Sequence, residues 1–391
     1  MKKYSILIVG LKCYSGHIRE FIVNLKKKNP QAAITLVTAS IRDEYRKDIE
    51  QSVDRLVMIK QYRKRLFIPL LAGLLNRVNY YWAFLKLYLG SHFDIIDIHF
   101  PNVSVKQAMP ILRRMTHNIV MTPWGSDVMR VESGKDIYCL TEMYSQAKHV
   151  TVSKDSPTGK AIISKFNVAP EKMVELKWGG EFFDYIQEHA TDITTEEAKA
   201  RFSVDGKYVI TCGYNMQYEQ RQEDIINAVC TIKEQLPDNL LLLFPYTYAI
   251  NAKHDKHKKE IVERCQSLGL DYKVVEENLD LADLLKLRMA TDIFVHVQDT
   301  DAGSRCVMEY VFCNKKLVHG AWNKYPYLED YKPSCYFPVN RMEDLESIIL
   351  KASQTEISDL PQEVRKIILE RGWNHKMTFW NEFFESLVKD K

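Results

Sequence analysis

At 391 residues the chain is longer than one hydrophobic core normally serves, so two domains are expected. Hydrophobic residues at 46% and charged residues at 27% are ordinary for a soluble globular protein. A net charge of +3 is too small to imply a nucleic-acid partner. The eight cysteines (13, 139, 212, 230, 265, 306, 313 and 335) show no C-x-x-C pair and no zinc-like grouping, so reduced thiols in a reducing compartment are expected. The chain runs straight into an apolar strand, Tyr4–Val9, without a signal-peptide pattern, and no apolar run is long enough to span a bilayer. The expected location is cytoplasmic, peripheral on the inner face of the cell membrane.

Alternating strands and helices point to α/β architecture with parallel sheets. The first series has strands expected at 4–9, 33–38, 94–99, 118–122 and 149–152, with helical patterns between them at Ile18–Lys27 and Val105–Met115. The turn Gly10–Gly16 opens a helix but lacks the G-x-G-x-x-G of a dinucleotide site. Its small residues Ser15 and Gly16 would still let backbone approach a phosphate or an acceptor. Arg55–Gly90 carries Arg55, Lys60, Arg63, Lys64, Arg65, Arg77 and Lys86, no acidic residue, and interleaved aromatic and aliphatic side chains. Such a stretch suits anionic lipid headgroups, although a buried helix pair with a solvated basic rim has the same composition. Pro69 and Gly73 are expected to interrupt any single long helix there. No RNA- or DNA-binding motif accompanies the bases. His99, at the end of the third strand, is placed to line a cleft or to serve structure.

Thr191–Asp205 is polar and reads as a hinge, with domains expected at 1–190 and 191–372 and a terminal helix over 373–391. The second series has strands expected at 208–212, 240–244, 272–275, 293–297 and 317–319. The stretch Asp301-Ala-Gly-Ser-Arg-Cys-Val-Met-Glu309 follows the apolar run 292–298 and opens a helix. A carboxylate at a strand end, a turn of small residues and free helix-start N–H groups at Gly303, Ser304 and Arg305 suit an anionic ligand. Glu309 sits far enough into the helix to reach another part of that ligand, such as a ribose diol. An amphipathic helix with an N-cap Asp would show the same spacing. Asp299-Thr-Asp301 also matches the metal-binding D-x-D that bridges donor phosphates in GT-A transferases. The segment 360–391 is expected to be helical and carries Trp373, Phe379, Trp380, Phe383 and Phe384.

The Asp301–Glu309 spacing resembles the E-x7-E motif of retaining GT-B glycosyltransferases of family 4 and its relatives, with Asp in place of the first Glu. Cys212-Gly-Tyr-Asn215, Leu243–Tyr248, Ala290–Asp292 and Trp322 also look like bacterial members that build capsular and other surface polysaccharides. The resemblance covers most of 205–335. It implies two Rossmann-like domains facing across a cleft, the last helix returning to the first domain. After Gly213, where relatives place Arg and then Lys on the donor diphosphate, this chain has Tyr214 and, near the Lys position, Glu219. Arg221 is the nearest base and the candidate diphosphate ligand, or else a solvated helix-start residue. Thr122-Pro-Trp-Gly-Ser-Asp127 falls where relatives carry a His-Gly-x-Asp-like turn facing the transferred sugar. Trp124 stands in the His position, and Asp127 is retained to bond a sugar hydroxyl or orient the acceptor, or to cap a turn.

The expected function is transfer of a sugar from a nucleoside-diphosphate donor to a lipid-linked or oligosaccharide acceptor, with retention. No metal and no cofactor are expected beyond the nucleotide-sugar co-substrate. Asp301 and Asp127 are the expected catalytic residues. Glu309, Gly303, Ser304, Arg305, Arg221, Asn215, Gly213 and Gly16 would hold the donor, and Ser15, His99 and Trp124 would line the acceptor side. The expected partners are the nucleotide sugar, the glycan acceptor and, through 55–90, an anionic membrane surface, with no nucleic acid. Two other readings stay open: a catalytically silent GT-B partner protein, motivated by Tyr214 and Trp124, and a nucleotide-dependent oxidoreductase, disfavoured by the absent glycine fingerprint.

Overall fold

The computed structural model describes residues 3–11, 15–61, 69–247, 250–299, 301 and 304–389, with the backbone alone at 15 and 69–72. The chain divides into two compact units, one of residues 1–180 and 373–391 and the other of residues 181–372. Each is built on a six-stranded, wholly parallel sheet.

In the first unit the strands are β1 (Ser5–Gly10), β2 (Ala33–Thr38), β3 (Arg55–Met58), β4 (Ile95–His99), β5 (Ile119–Thr122) and β6 (His149–Val150). They lie in the order β3-β2-β1-β4-β5-β6. The inner strands are buried on both faces, which is why they read as unbroken apolar runs rather than alternating ones. The terminal helix Trp373–Lys389 belongs to this unit. Its Trp373, Met377, Trp380, Phe384 and Leu387 pack on Ile18, Phe21, Ile22 and Leu25 of the helix Ser15–Lys28. Polar ties fix the register: Tyr4 Oη donates to Asn381 Oδ1 at 3.1 Å, and Asn118 Nδ2 donates to the Leu387 carbonyl at 2.9 Å. Of the aromatic residues expected in this contact, Phe379 instead faces solvent.

The second unit contains β7 (Tyr208–Cys212), β8 (Leu240–Pro245), β9 (Tyr272–Val275), β10 (Ile293–His296), β11 (Lys316–Gly320) and β12 (Tyr336–Val339). Their order is β12-β11-β10-β7-β8-β9. The boundary falls before the expected hinge. The helix Glu181–His189 buries Phe182, Phe183 and Ile186 against Leu285, Phe294 and Tyr310, which assigns it to the second unit.

Two expectations about 55–90 change. Its first residues form the edge strand β3, and Pro69–Gly90 is one continuous helix. Pro69 opens that helix, where a missing N–H costs nothing, and Gly73 has open space around its Cα. The helix buries Tyr80, Phe84 and Leu87 in the first core. Its outer face exposes Leu74, Leu75, Val78, Tyr81, Trp82 (54%), Tyr88 and Leu89 (76%), with Arg77 and Lys86 among them. Arg63, Lys64 and Arg65 lie outside the described residues. No described helix is long and apolar enough to cross a membrane.

Candidate functional site

In open parallel sheets ligands bind beyond the carboxyl ends of strands at the point where the strand order reverses. In the second sheet that point lies between β7 and β10. The turn after β7 begins at Gly213, whose φ of +69° favours glycine, and a Cβ there would lie 2.7 Å from Gln220 Oε1. That same oxygen accepts from the Tyr214 N–H at 3.1 Å. The turn ends at Arg221, left-handed at φ 58°, which caps the helix Gln222–Thr231. Its guanidinium spans two carboxylates: Nε donates to Asp224 Oδ2 at 2.8 Å and Nη1 to Asp299 Oδ1 at 3.2 Å. The second contact ties the β7 turn to the loop after β10. Gln298 completes the tie. Its side-chain oxygen accepts from Tyr214 Oη and Gln220 Nε2, and its carbonyl accepts from Trp322 Nε1 and Asn323 Nδ2, both at 2.8 Å. Asn215 is buried and structural in its contacts, with Oδ1 accepting from Gln217 N–H at 2.9 Å.

Asp301 follows in the same loop. Its Oδ2 accepts from Tyr325 Oη and from the Ser304 N–H at 3.2 Å. Ser304, not Asp301, caps the helix Arg305–Phe312, with Oγ accepting from Cys306 N–H at 3.2 Å. The Ser304 amide expected to meet a phosphate is therefore already engaged, and Tyr325 Oη takes it as well at 2.6 Å. Gly303 lies outside the described residues, and Arg305 is exposed at the helix start. The two carboxylates of Asp299-Thr-Asp301 turn to different partners, Arg221 and Tyr325.

Behind Asp301 lie two buried histidines at paired positions of β10 and β11. The Asn323 carbonyl can only accept, so His319 Nε2 donates to it at 2.8 Å. His319 Nδ1 then accepts from His296 Nδ1–H at 3.0 Å, leaving His296 Nε2 a bare acceptor 3.5 Å from Asp301 Oδ2. Burial pushes both imidazoles below their usual range, so this neutral arrangement holds.

Glu309 is 6% exposed and Arg288 5%. Arg288 Nε and Nη2 both donate to Glu309 Oε2, at 3.0 and 2.8 Å. Glu309 Oε1 makes no hydrogen bond among the described residues. The residues that sequence reasoning missed here are Arg288, Gln298, Tyr325, His296 and His319. Arg288 left only a faint signal, as one of two bases with Lys286 in the otherwise apolar Leu284–Ala290; the histidine pair becomes visible only once β10 and β11 are in register.

In the first unit the order reverses between β1 and β4. Gly16 lies in the first turn of the helix after β1, and a Cβ there would press the Tyr45 ring at 3.3 Å. The Ser15 side chain lies outside the described residues. His99 is fully buried and does not line a surface: Nε2 bonds Asp97 Oδ2 at 2.9 Å, and Asp97 Oδ1 accepts from Thr122 Oγ1. It lies beneath half-buried Trp124 and Trp178, which are 5.5 Å apart and flanked by His17. Asp127 folds back on its own turn, Oδ1 accepting from Trp124 N–H at 2.9 Å, while Oδ2 is buried without a partner. Burial raises its carboxyl to about 6.

No protein-family model and no curated protein sequence matches this chain. Solved structures do match its fold. A glycosyltransferase from Rickettsia africae superposes with a TM-score of 0.71 at 14% identity, covering 100% of both chains. The Anabaena protein HepE, solved with UDP and glucose, gives 0.70 at 14% identity over 98% of this chain and 100% of its own. Sucrose-phosphate synthase from Thermosynechococcus elongatus gives 0.65 at 12% identity over 100% of both. The chain thus has the fold of these glycosyltransferases, two Rossmann-like α/β domains of the GT-B type.

Proposed function

We propose that this chain is a glycosyltransferase that moves a sugar from a nucleoside-diphosphate sugar to a lipid-linked glycan, with retention and without a metal in the chemical step. One observation carries the reading: at the reversal point of the second sheet, Arg221 joins the β7 turn to the loop after β10 that also carries Asp301. The fold likeness to a protein solved with UDP and glucose supports a nucleotide-sugar donor.

Arg221 would exchange Asp299 for a diphosphate oxygen, a charge-assisted bond for which the guanidinium is suited. Glu309 Oε1 would accept from ribose, with Arg288 holding the carboxylate in place. A sugar hydroxyl would donate toward the bare His296 Nε2 or the Asp301 carboxylate 3.5 Å from it. Catalysis would rest on positioning and on charge stabilisation at the leaving phosphate, which takes the acceptor proton on the same face. In the first unit, Trp124 offers an aromatic surface for an acceptor sugar, and Asp127 would orient it. The apolar outer face of the helix Pro69–Gly90, with Arg77, Lys86 and the bases at 63–65, would hold the protein on an anionic membrane near a lipid-linked acceptor.

A panel of nucleotide sugars tested for thermal stabilisation identifies the donor, since a ligand of the native state raises its melting temperature. Transfer or hydrolysis of the donor that stabilises is the expected result. Absence of stabilisation across the panel would remove the transferase reading in favour of a silent partner protein.

A further inference from the structure

The helices Gln222–Thr231 and Ala252–Ser267 bring together three side chains that the proposed reaction does not use. Glu223 is in the first turn of one; His257 and Glu260, three residues apart, share a face of the other. One ligand-capable atom from each lies within 4.8 Å of the other two.

Hydrogen bonding fixes the imidazole. The Asn215 carbonyl can only accept, so the Gln222 group facing it at 2.6 Å is the amide nitrogen. Gln222 Oε1 is thereby turned to His257 Nε2, 3.1 Å away, and accepts its N–H. The neutral ring then carries its proton on Nε2 and a bare lone pair on Nδ1. That Nδ1 is 3.6 Å from Glu260 Oε2 and has no hydrogen-bond partner, although His257 is only 2% exposed. The nitrogen lone pair faces Glu260 Oε2, which also accepts from Tyr218 Oη, and a cation between them would satisfy the nitrogen.

We propose that Glu223, His257 and Glu260 form a binding site for a divalent transition-metal ion of the Zn²⁺ class. One imidazole nitrogen with two carboxylates suits Zn²⁺, Co²⁺ or Ni²⁺ better than Mg²⁺ or Ca²⁺, which take oxygen ligands. Donation from the far ring nitrogen to the Gln222 amide oxygen is the arrangement that orients metal-bound histidines. Glu260 is held by Tyr218 Oη at 2.9 Å and lies 3.5 Å from Lys256 Nζ, and the Tyr218 ring lies 4.0 Å from the imidazole, centroid to centroid. With ligand distances of about 2.1 Å, tetrahedral ligand atoms sit about 3.4 Å apart, so the trio must close slightly. Glu223, exposed and near its helix start, can rotate to do so. The ion would tie the two helices together and, through Gln222, brace the Asn215 carbonyl after β7. The inference is independent of the transfer reaction.

The test uses tag-free, EDTA-treated full-length protein titrated with Zn²⁺ by calorimetry and with Co²⁺ by visible absorption. A single saturating equivalent is expected, with a Zn²⁺-dependent rise in melting temperature. Glu223→Gln, a change at an exposed site, and Glu260→Gln should each weaken binding by about tenfold or more, a ligand counting at least as much as an outer-shell partner. Failure of the wild type to take up either ion overturns the proposal. So does uptake that is unchanged in both variants, which would place the ion elsewhere.

Discussion

Replacing Glu309 by Gln should perturb stability and, in the proposed donor site, ligand binding through two different oxygens. Oε2 takes both Arg288 donors, at 3.0 and 2.8 Å, and neither residue is more than 6% exposed. Breaking a buried ion pair from one side costs about 3–5 kcal/mol. Gln keeps an acceptor for the guanidinium, and Arg288 retains the Tyr310 hydroxyl at 3.2 Å and that ring at 4.6 Å, so the lower end, about 3 kcal/mol, is expected. For a unit of this size each kcal/mol moves the melting temperature by about 2–4 °C, giving a fall of about 6–12 °C. Oε1 would report on the proposed donor. A charge-assisted bond to a ribose hydroxyl is worth roughly 1.5–3 kcal/mol gross, so affinity for the nucleoside diphosphate of the cognate donor should fall roughly tenfold to a hundredfold. Scanning and titration calorimetry on the same preparation separate the two effects. Unchanged affinity in a folded mutant would remove Glu309 from the donor site, and an unchanged melting temperature would refute the energetic importance of the Arg288 pair.

Transfer should survive EDTA, even where chelation strips the Glu223–His257–Glu260 site, because in the proposed site Arg221 would supply positive charge to the leaving phosphates; complete loss restored by Mg²⁺ or Mn²⁺ would reinstate a metal at Asp299 and Asp301. Gln at Arg63, Lys64 and Arg65 should release the protein from phosphatidylglycerol vesicles in co-sedimentation, each base contributing about 1 kcal/mol before screening, while nucleotide affinity stays intact. Wild-type protein that remains in the supernatant at low and moderate salt would sink the membrane reading. The Asp127 carboxyl, raised by burial from 3.8 to about 6, binds its proton more tightly folded than unfolded, so its stabilisation is full below pH 4 and is lost as pH rises through 6. Asp127→Asn should abolish that loss and exceed wild type by about 2–3 kcal/mol at pH 7 and above in denaturant unfolding; parallel pH profiles of the two proteins would contradict it.

The inner strands of both sheets were legible because burial on both faces leaves continuous apolar runs. The edges were not. β3 is half exposed and lies inside a basic stretch, and β12 carries Pro338, which a strand paired on one side tolerates. Composition marked 55–90 as unusual, yet Pro69 and Gly73 suggested breaks where a helix begins and continues. At the candidate site, Asp301 and Glu309 stood out by spacing, while their partners did not. Arg288 lies 21 residues before Glu309, and Tyr325 lies 24 after Asp301. Such pairs exist only after strands and helices have packed. His99 shows the converse: its position at a strand end suggested a lining residue, but burial with Asp97 makes it part of the sheet's interior.

The return of Trp373–Lys389 to the first unit makes the second unit an insertion in the covalent order of the chain. On a ribosome, residues 181–372 are all made before the first unit's last helix. Until that helix emerges, Ile18, Phe21, Ile22 and Leu25 lack the apolar surface that covers them in the finished protein. The inserted unit can therefore complete its fold before the unit that precedes it in sequence. Emergence of the segment Trp373–Lys389 becomes the event that closes the first unit's core, and a nascent chain stalled short of Trp373 would present that uncovered face to chaperones.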